Sequence, residues 1–430
     1  MKIIIKNAHL FDPSENLDNV SDLLIENEKI IGIGKNLSSD SASIYNMEGK
    51  TVFPGFMDMH VHLREPGRED KETIGTGCKA ASQGGFTAIA CMPNTNPPLD
   101  DVSVLHYVLN KSKNAPVKVY PTACVSKGQK GEEITEMGKL AEEGAVAFSD
   151  DGKPVKTAEL MRRAMEYSKL VDKVIIDHNE EETLAQGVMH EGYYSTLLGL
   201  KGIPSECESI AVARNILLAE LTGGKYHAAH LSSAKSVDLI RKAKEKGLNV
   251  TAEVTIHHLL LTHESLTTYD ANYKINPPLR TEKDREALIK GVQDGTIGCI
   301  VSDHAPHTRE EKEMEFDLAP FGISGVEILI PLLFSELILK GKISLKKAVE
   351  ALSYSPYKIL GLAPPRIKIN GPADLTILDL KAAETIRVSE FKSKGKNSPY
   401  DGKTVTGIPV MTVVNGKIEM EKTTAALALT

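Results

Sequence analysis

Hydrophobic and polar positions along the chain fall into two textures. Residues 1–52 alternate in short runs, "KIIIKNAHL", "LLIENEKIIGIG" and "IYNMEGKTV", broken by Gly, Asn and Asp. This is the period-two pattern of half-buried strands. It returns after "LAPPRIKING" in "ADLTILDL" and "TVTGIPVMTVVNGKI". Neither end has enough apolar positions to close a core alone. One small β-sandwich built from both ends, 1–52 and 366–430, is therefore expected, with 53–365 inserted between them.

The inserted stretch alternates strand and helix signals. Candidate strands are 56–62 (FMDMHVH), 86–92 (FTAIACM), 117–124 (VKVYPTAC), 144–149 (GAVAFS), 173–178 (KVIIDH), 225–230 (KYHAAH), 248–255 (LNVTAEVT) and 298–303 (GCIVSD). Between and after them lie helix-like stretches such as 101–113, 133–143, 157–170, 205–221, 234–246, 282–293 and 326–340. Strands that each lead into a helix predict an α/β fold, a (β/α)8 TIM-like barrel. An open doubly wound sheet is the other arrangement that strand counting allows. No fixed-period repeat or low-complexity segment interrupts the pattern.

Bulk composition narrows the function. The 430 residues suit one large barrel plus a smaller module, and 41% apolar content supports a sizeable core. A net charge of −7 leaves no basic footprint for nucleic acid. No apolar run reaches the roughly 18 residues of a membrane span, and "MKIIIKNAHLFDP" turns polar too early for a signal peptide. Cys78, Cys91, Cys124, Cys207 and Cys299 form an odd set without C-x-x-C spacing. They are expected to be small core residues in a reducing cytoplasm.

Candidate chemistry gathers where a barrel would place it, at the C-terminal ends of the strands. His60 and His62 end the first strand, Asp150 and Asp151 follow the fourth, and His178 and His230 close the fifth and sixth. Asp303, His304 and His307 lie at the end of the eighth. Strand side chains alternate, so positions 60 and 62 point the same way and both imidazoles can reach one metal. Imidazole and carboxylate without thiolate suit Zn²⁺ ahead of Mn²⁺, Co²⁺ or Fe²⁺. Four histidines and two aspartates from this set exceed the needs of one catalytic zinc and fit two sharing a bridging carboxylate. Such a pair supplies hydroxide near neutral pH and polarises the carbonyl under attack. Asp303 would take the proton and deliver it to the leaving nitrogen as general base and acid.

The motifs "PGFMDMHVHLREPG", "MPNTNPP", "FSDDGKPV", "IIDHNEE", "AAHLSS", "EVTIHHL", "INPPLR" and "VSDHAPHT", followed by "APFGISG", together resemble the amidohydrolase superfamily and, within it, the dihydroorotases. The resemblance spans essentially the whole chain. It implies reversible hydrolysis of dihydroorotate to N-carbamoyl-aspartate in pyrimidine biosynthesis. Position by position it implies His60 and His62 on the more buried metal, His178 and His230 on the second, and Asp303 as both ligand and base. Many relatives bridge the metals through a carboxylated lysine. "SDDGK" resembles a branch in which aspartate does so, which implies Asp151 over Asp150, with Lys153 as rival.

Dihydroorotate carries a carboxylate, and Arg64, two residues past His62, could bind it in bidentate fashion; a rim salt bridge to Glu65 or Glu69 is the plainer role. Asn94 and His307 resemble the family's other carboxylate contacts, with His62 beside them. Asn276 and the backbone around Phe321 and Gly322 resemble contacts to the ring amides. Asn94 and Asn276 also sit in Pro-rich loops where Asn commonly forms turns. The charged part of 304–322 reads as solvated, or as a segment that closes over substrate. His257 and His258 follow the seventh strand without a metal role. His9, His106, His190, His227 and His263 read as core, surface or local hydrogen-bonding residues.

Other cyclic amidohydrolases, such as dihydropyrimidinases, hydantoinases and allantoinases, share the fold and ligands, but their substrates lack the ring carboxylate. A scaffold role fits poorly, because inactive members usually lose ligands. The resemblance also implies a homo-oligomer, expected as a dimer, and allows association with aspartate carbamoyltransferase.

Overall fold

The structure, a computed structural model, describes residues 2–422. Eight parallel strands form the centre: Phe56–Val61, Phe86–Cys91, Lys118–Ala123, Ala147–Phe148, Val174–Asp177, Tyr226–Ala228, Val250–Thr255 and Cys299–Val301. Each pairs with its neighbour in sequence order. The eighth returns to the first through a parallel bridge between Val61 and His304 and a bond from His62 N to His304 O of 2.9 Å. That return contact selects the barrel over the open sheet.

Alternate positions along the strands feed two cores, as the two-residue period requires. Ile89, Ile175, Val250, Val254 and Ile300 pack outward with Ile74, Leu105 and Val237 of the surrounding helices. Met57, Met59, Ala88, Ala90, Ile176 and Val301 fill the interior. The first strand slips register between Asp58 and Val61. A slip of this kind re-aims side chains, and here it spans His60 and precedes His62.

The helices follow the predicted ranges closely, for example Ala158–Leu170, Glu206–Thr222, Ala234–Glu245 and Glu282–Asp294. Thr73, Thr157, Ser233 and Thr281 begin helices by accepting a backbone N–H through their side-chain oxygens. The third helix is shorter than predicted, Met137–Glu142. Ile134 and Thr135 instead bind the stretch just after the third strand, at Ser126 and Val125. The fourth strand pairs only over Ala147–Phe148. A short insert not signalled by periodicity, Met189–His190 paired with Gly202–Ile203, lies between the fifth and sixth strands.

Both ends of the chain share one eight-stranded sheet. Thr51–Pro54 pairs antiparallel with Leu375–Thr385, from Leu375 opposite Pro54 to Leu378 opposite Thr51. Ile3, Ile5, Leu10, Leu23, Ile25 and Val52 from one end bury against Leu375, Ile377, Met411 and Val413 from the other. The strands join as a single hydrogen-bonded sheet rather than two. All five cysteines are free and buried, as expected.

Candidate active site

The six candidate ligands meet at the barrel mouth. His60, His62, Asp151, His178 and His230 are buried, and Asp303 is nearly so. His60 Nε2 lies 3.3 Å from Asp151 Oδ2 and 3.6 Å from Asp303 Oδ1. His62 Nε2 is 3.1 Å from Asp303 Oδ1 and 3.5 Å from Asp151 Oδ2. On the far side of Asp151, Oδ1 faces His230 Nε2 at 3.4 Å and His178 Nδ1 at 3.7 Å. Asp151 thus stands between two pairs of histidines. Backbone strain accompanies the cluster: His230, Asp303 and Arg64 have φ of 30°, 45° and 60°, a region that costs non-glycine residues energy and recurs at functional sites.

The neighbouring carboxylate and lysine separate cleanly from Asp151. Asp150 Oδ1 accepts bonds from Val125 N and Ser126 N at 2.9 and 3.0 Å, and Oδ2 accepts the Ser126 hydroxyl at 2.5 Å. Lys153 is exposed, with Nζ at 3.5 Å from the Gln129 carbonyl.

The donor set suits a divalent cation. His60 Nε2 and Asp151 Oδ1 are buried without a hydrogen-bond partner. Two triplets, His60–Asp151–His230 and His60–His62–Asp303, offer ligand atoms within 4.8 Å of one another. The second nitrogens are already engaged: His60 Nδ1 meets Glu253 Oε1 at 2.5 Å and His62 Nδ1 meets Asn94 Oδ1 at 2.8 Å. Such contacts fix ring orientation and leave Nε2 for a metal. Burial pushes the carboxylates up, but the imidazoles outweigh it. His60 and His62 hold Asp303 down to about 2, and His60, His178 and His230 hold Asp151 well below the carboxylate range. Burial opposes the charged form of His178, yet Asp151 and Glu180 raise it to about 10. The centre draws positive charge, which a cation supplies while leaving imidazole lone pairs free.

Arg64 lies beside this cluster. Its Nε donates to Pro306 O at 3.3 Å, and one terminal nitrogen is 3.5 Å from His307 Nε2. The rim salt bridge is absent. Glu65 binds the Tyr107 hydroxyl and Ile74 N, both at 2.8 Å, and Glu69 accepts from Gly67 N at 2.9 Å. His307 Nε2 also donates to Phe321 O at 2.9 Å, and Gly322 approaches Ala305 so closely that a Cβ would sit 2.7 Å from its carbonyl. Asn94 and Asn276 form no simple turns with their side chains. Asn276 Nδ2 reaches His178 Nε2 at 3.1 Å and Glu180 Oε2 at 2.8 Å.

The sequence reading passed over several residues. Glu253 is wholly buried between His60 and His227. A glutamate inside "TAEVT" was its signal, since charged residues are rarely buried unless paired. Lys71 Nζ contacts His307 Nδ1 at 3.1 Å and Glu311 at 2.8 Å. The charged run is not simply solvated. Arg309–Lys312 is a short helix, and buried Lys312 Nζ donates to Pro320 O and Gly322 O at 2.9 and 3.1 Å. His257 stacks on Tyr400, and His258 Nε2 meets Pro277 O at 2.9 Å.

Residues 49–236 match the family model described as dihydro-orotase-like. The dihydroorotase of Caldanaerobacter subterraneus subsp. tengcongensis is 48% identical over 98% of both chains. The chain belongs to the dihydroorotase family. The dihydroorotase of Pelotomaculum thermopropionicum is 47% identical over 98% of this chain and 99% of its own. Among solved structures, the L-hydantoinase (dihydropyrimidinase) of Arthrobacter aurescens superposes with a TM-score of 0.86 at 27% identity, covering 98% of this chain and 96% of that one. The fold is thus that of the cyclic amidohydrolases. No helix among the described residues is long and apolar enough to cross a membrane.

Proposed function

We propose that this family member opens and closes the ring of dihydroorotate, interconverting it with N-carbamoyl-aspartate, at the His60–His62–Asp151–His178–His230–Asp303 cluster. The observation that carries the substrate is Arg64. It is a guanidinium at the cluster's edge that forms no ion pair among the described residues, donating to Pro306 O and lying beside His307. A ring carboxylate completes that corner, and a planar fork of donors matches it.

His60, His62 and Asp303 would hold one metal and His178 and His230 a second, with Asp151 between them. Bound there, two zinc ions would supply a nucleophilic water near neutral pH and polarise the scissile carbonyl. Asp303, set against His60 and His62 at the mouth, is a carboxylate positioned to take a proton and return it to the departing ring nitrogen. Arg64, His307 and Asn94 orient the carboxylate. Asn276 and the Phe321–Gly322 backbone receive the ring amides and fix which carbonyl faces the cluster. Zinc, a dimer and a cytoplasmic setting come with the family resemblance.

The hydantoinase likeness supports a second reading, opening of an uncarboxylated ring. The exposed Lys153 and the placement of Arg64 favour the first. The deciding experiment is turnover by protein of measured metal content. Dihydroorotate should be opened by protein holding about two metals per chain, and Asp303→Ala should lose turnover while keeping its fold. Fast opening of dihydrouracil or hydantoin with none of dihydroorotate would overturn the reading.

A further inference from the structure

The loop between the terminal-sheet strands Leu375–Thr385 and Thr404–Val414 leaves that sheet and reaches the barrel mouth. Ser393 donates to the buried Glu72 carboxylate, which also faces His304 at 3.1 Å. Gly395 presses against Pro306, where a Cβ would meet the proline Cβ at 2.4 Å and Ser324 Oγ at 2.6 Å. Pro306 is the residue whose carbonyl receives Arg64. Only a glycine lets this backbone approach so closely.

Asn397 completes the contact. It is 3% exposed, and its amide is fully engaged. Oδ1 accepts from His307 N at 2.9 Å and from the Ser324 hydroxyl at 2.8 Å. Nδ2 donates to Ala305 O at 3.1 Å and Gly322 O at 3.0 Å. Its own carbonyl accepts Ser324 N at 2.8 Å. One side chain therefore ties the outgoing limb of the loop after the eighth strand, residues 305 and 307, to its returning limb, residues 322 and 324. Those limbs carry His307 and Gly322. Two acceptor and two donor contacts in fixed directions define the separation of the limbs, which an apolar side chain of similar size would not.

We propose that Asn397 is a positioning residue that sets His307 against Arg64 and Gly322, so that the terminal sheet helps to build the corner that takes the substrate carboxylate. The proposal rests on the reading that His307 meets substrate. A displacement of His307 weakens substrate capture, whereas Asp151, Asp303 and the four cluster histidines, none of which Asn397 touches, keep their places.

The test uses full-length, metal-loaded enzyme and the variants Asn397→Ala, Asn397→Asp, His307→Ala and the double variant N397A/H307A. Asn397→Asp keeps the size and both acceptor contacts while turning the two donor contacts into oxygen–oxygen repulsions, so it reports on the same geometry should the alanine variant fold poorly. Either variant should raise KM for dihydroorotate about tenfold or more, with kcat within about threefold and metal content unchanged, since misplacing a positioning group by about 1 Å is felt strongly. The double variant should be no worse than His307→Ala alone, because the two residues act through one contact. An unchanged KM in the asparagine variants beside a raised KM in His307→Ala, or penalties that multiply in the double variant, would overturn the proposal alone. An unchanged KM in His307→Ala would remove the substrate reading and the proposal with it.

Discussion

Glu253 Oε1 lies 2.5 Å from His60 Nδ1 at the centre of the barrel, with both side chains wholly buried. The other oxygen of Glu253 meets His227 Nε2 at 3.1 Å, and His227 Nδ1 meets the Thr251 hydroxyl at 2.8 Å. Burial alone would raise the Glu253 carboxyl, yet His60 and His227 hold it far below the usual range. The carboxylate therefore orients the ring whose Nε2 faces Asp151, and it makes that nitrogen more basic. Replacing Glu253 with Gln should weaken metal binding about 10- to 100-fold, the usual effect of losing such a partner. Competition with a calibrated chelator measures this without reference to turnover, and equal affinities for the two proteins would sink the assignment.

Arg64 predicts a split between substrates. Two charge-assisted hydrogen bonds to a carboxylate contribute together about 3 kcal/mol, close to a hundredfold in binding. Arg64→Met should raise KM for dihydroorotate by about that factor. Any slow opening of dihydrouracil, which has no carboxylate, should be unaffected. Arg64→Lys should recover only part of the loss, because an ammonium cannot form the fork. Equal losses on both substrates would show that Arg64 supports the loops rather than the ligand.

The histidines were legible because strand ends in a barrel face one mouth, so residues far apart in sequence could be placed together from strand order alone. The choice between Asp150 and Asp151 could not be made that way. Both are aspartates after the same short strand, and what separates them is Ser126, whose amide and hydroxyl, with Val125 N, capture Asp150. Glu253 gave a signal, a glutamate in an apolar strand, but a lone polar residue there equally fits a strand's solvent side, and only barrel closure turns that side inward. Asn397 was out of reach for a different reason. Its partner His307 is 90 residues away, on an element whose own periodicity speaks only for the terminal sheet.

Two buried lysines predict a fastened loop rather than a free flap. Lys274 Nζ donates to Phe316 O, Asp317 O and Ala319 O at 2.6, 3.1 and 2.7 Å, and lies 4.7 Å from the centre of the Phe321 ring. With Lys312, it gathers five carbonyls of the segment that ends in Gly322. Lys274→Met leaves three carbonyls without their donor and should cost about 2–4 kcal/mol locally. Limited proteolysis should then cut within 309–322 at least tenfold faster than in the parent, a ratio that corresponds to about 1.4 kcal/mol of easier opening. If the parent is cut just as fast, and bound substrate does not slow it, the segment is not fastened.

Glu311 predicts an acid-sensitive component of stability. Burial pushes its carboxyl up, but the Lys71 ammonium at 2.8 Å outweighs this and holds it below the usual carboxylate range. A carboxylate with a lower pKa in the folded chain than in the unfolded one, about 4.3, stabilises the fold above that higher value. The contribution is lost as pH falls from there toward the folded pKa, because the unfolded chain then takes up the proton first. Glu311→Gln cannot titrate, so the parent should be the more stable of the two at about pH 6, and the gap should close progressively below about pH 4. Urea midpoints of both proteins, stripped of metal so that ligand protonation at the centre is common to both, measure the gap. A difference that stays constant from about pH 6 to about pH 3 would mean that Glu311 acts through packing rather than through its charge.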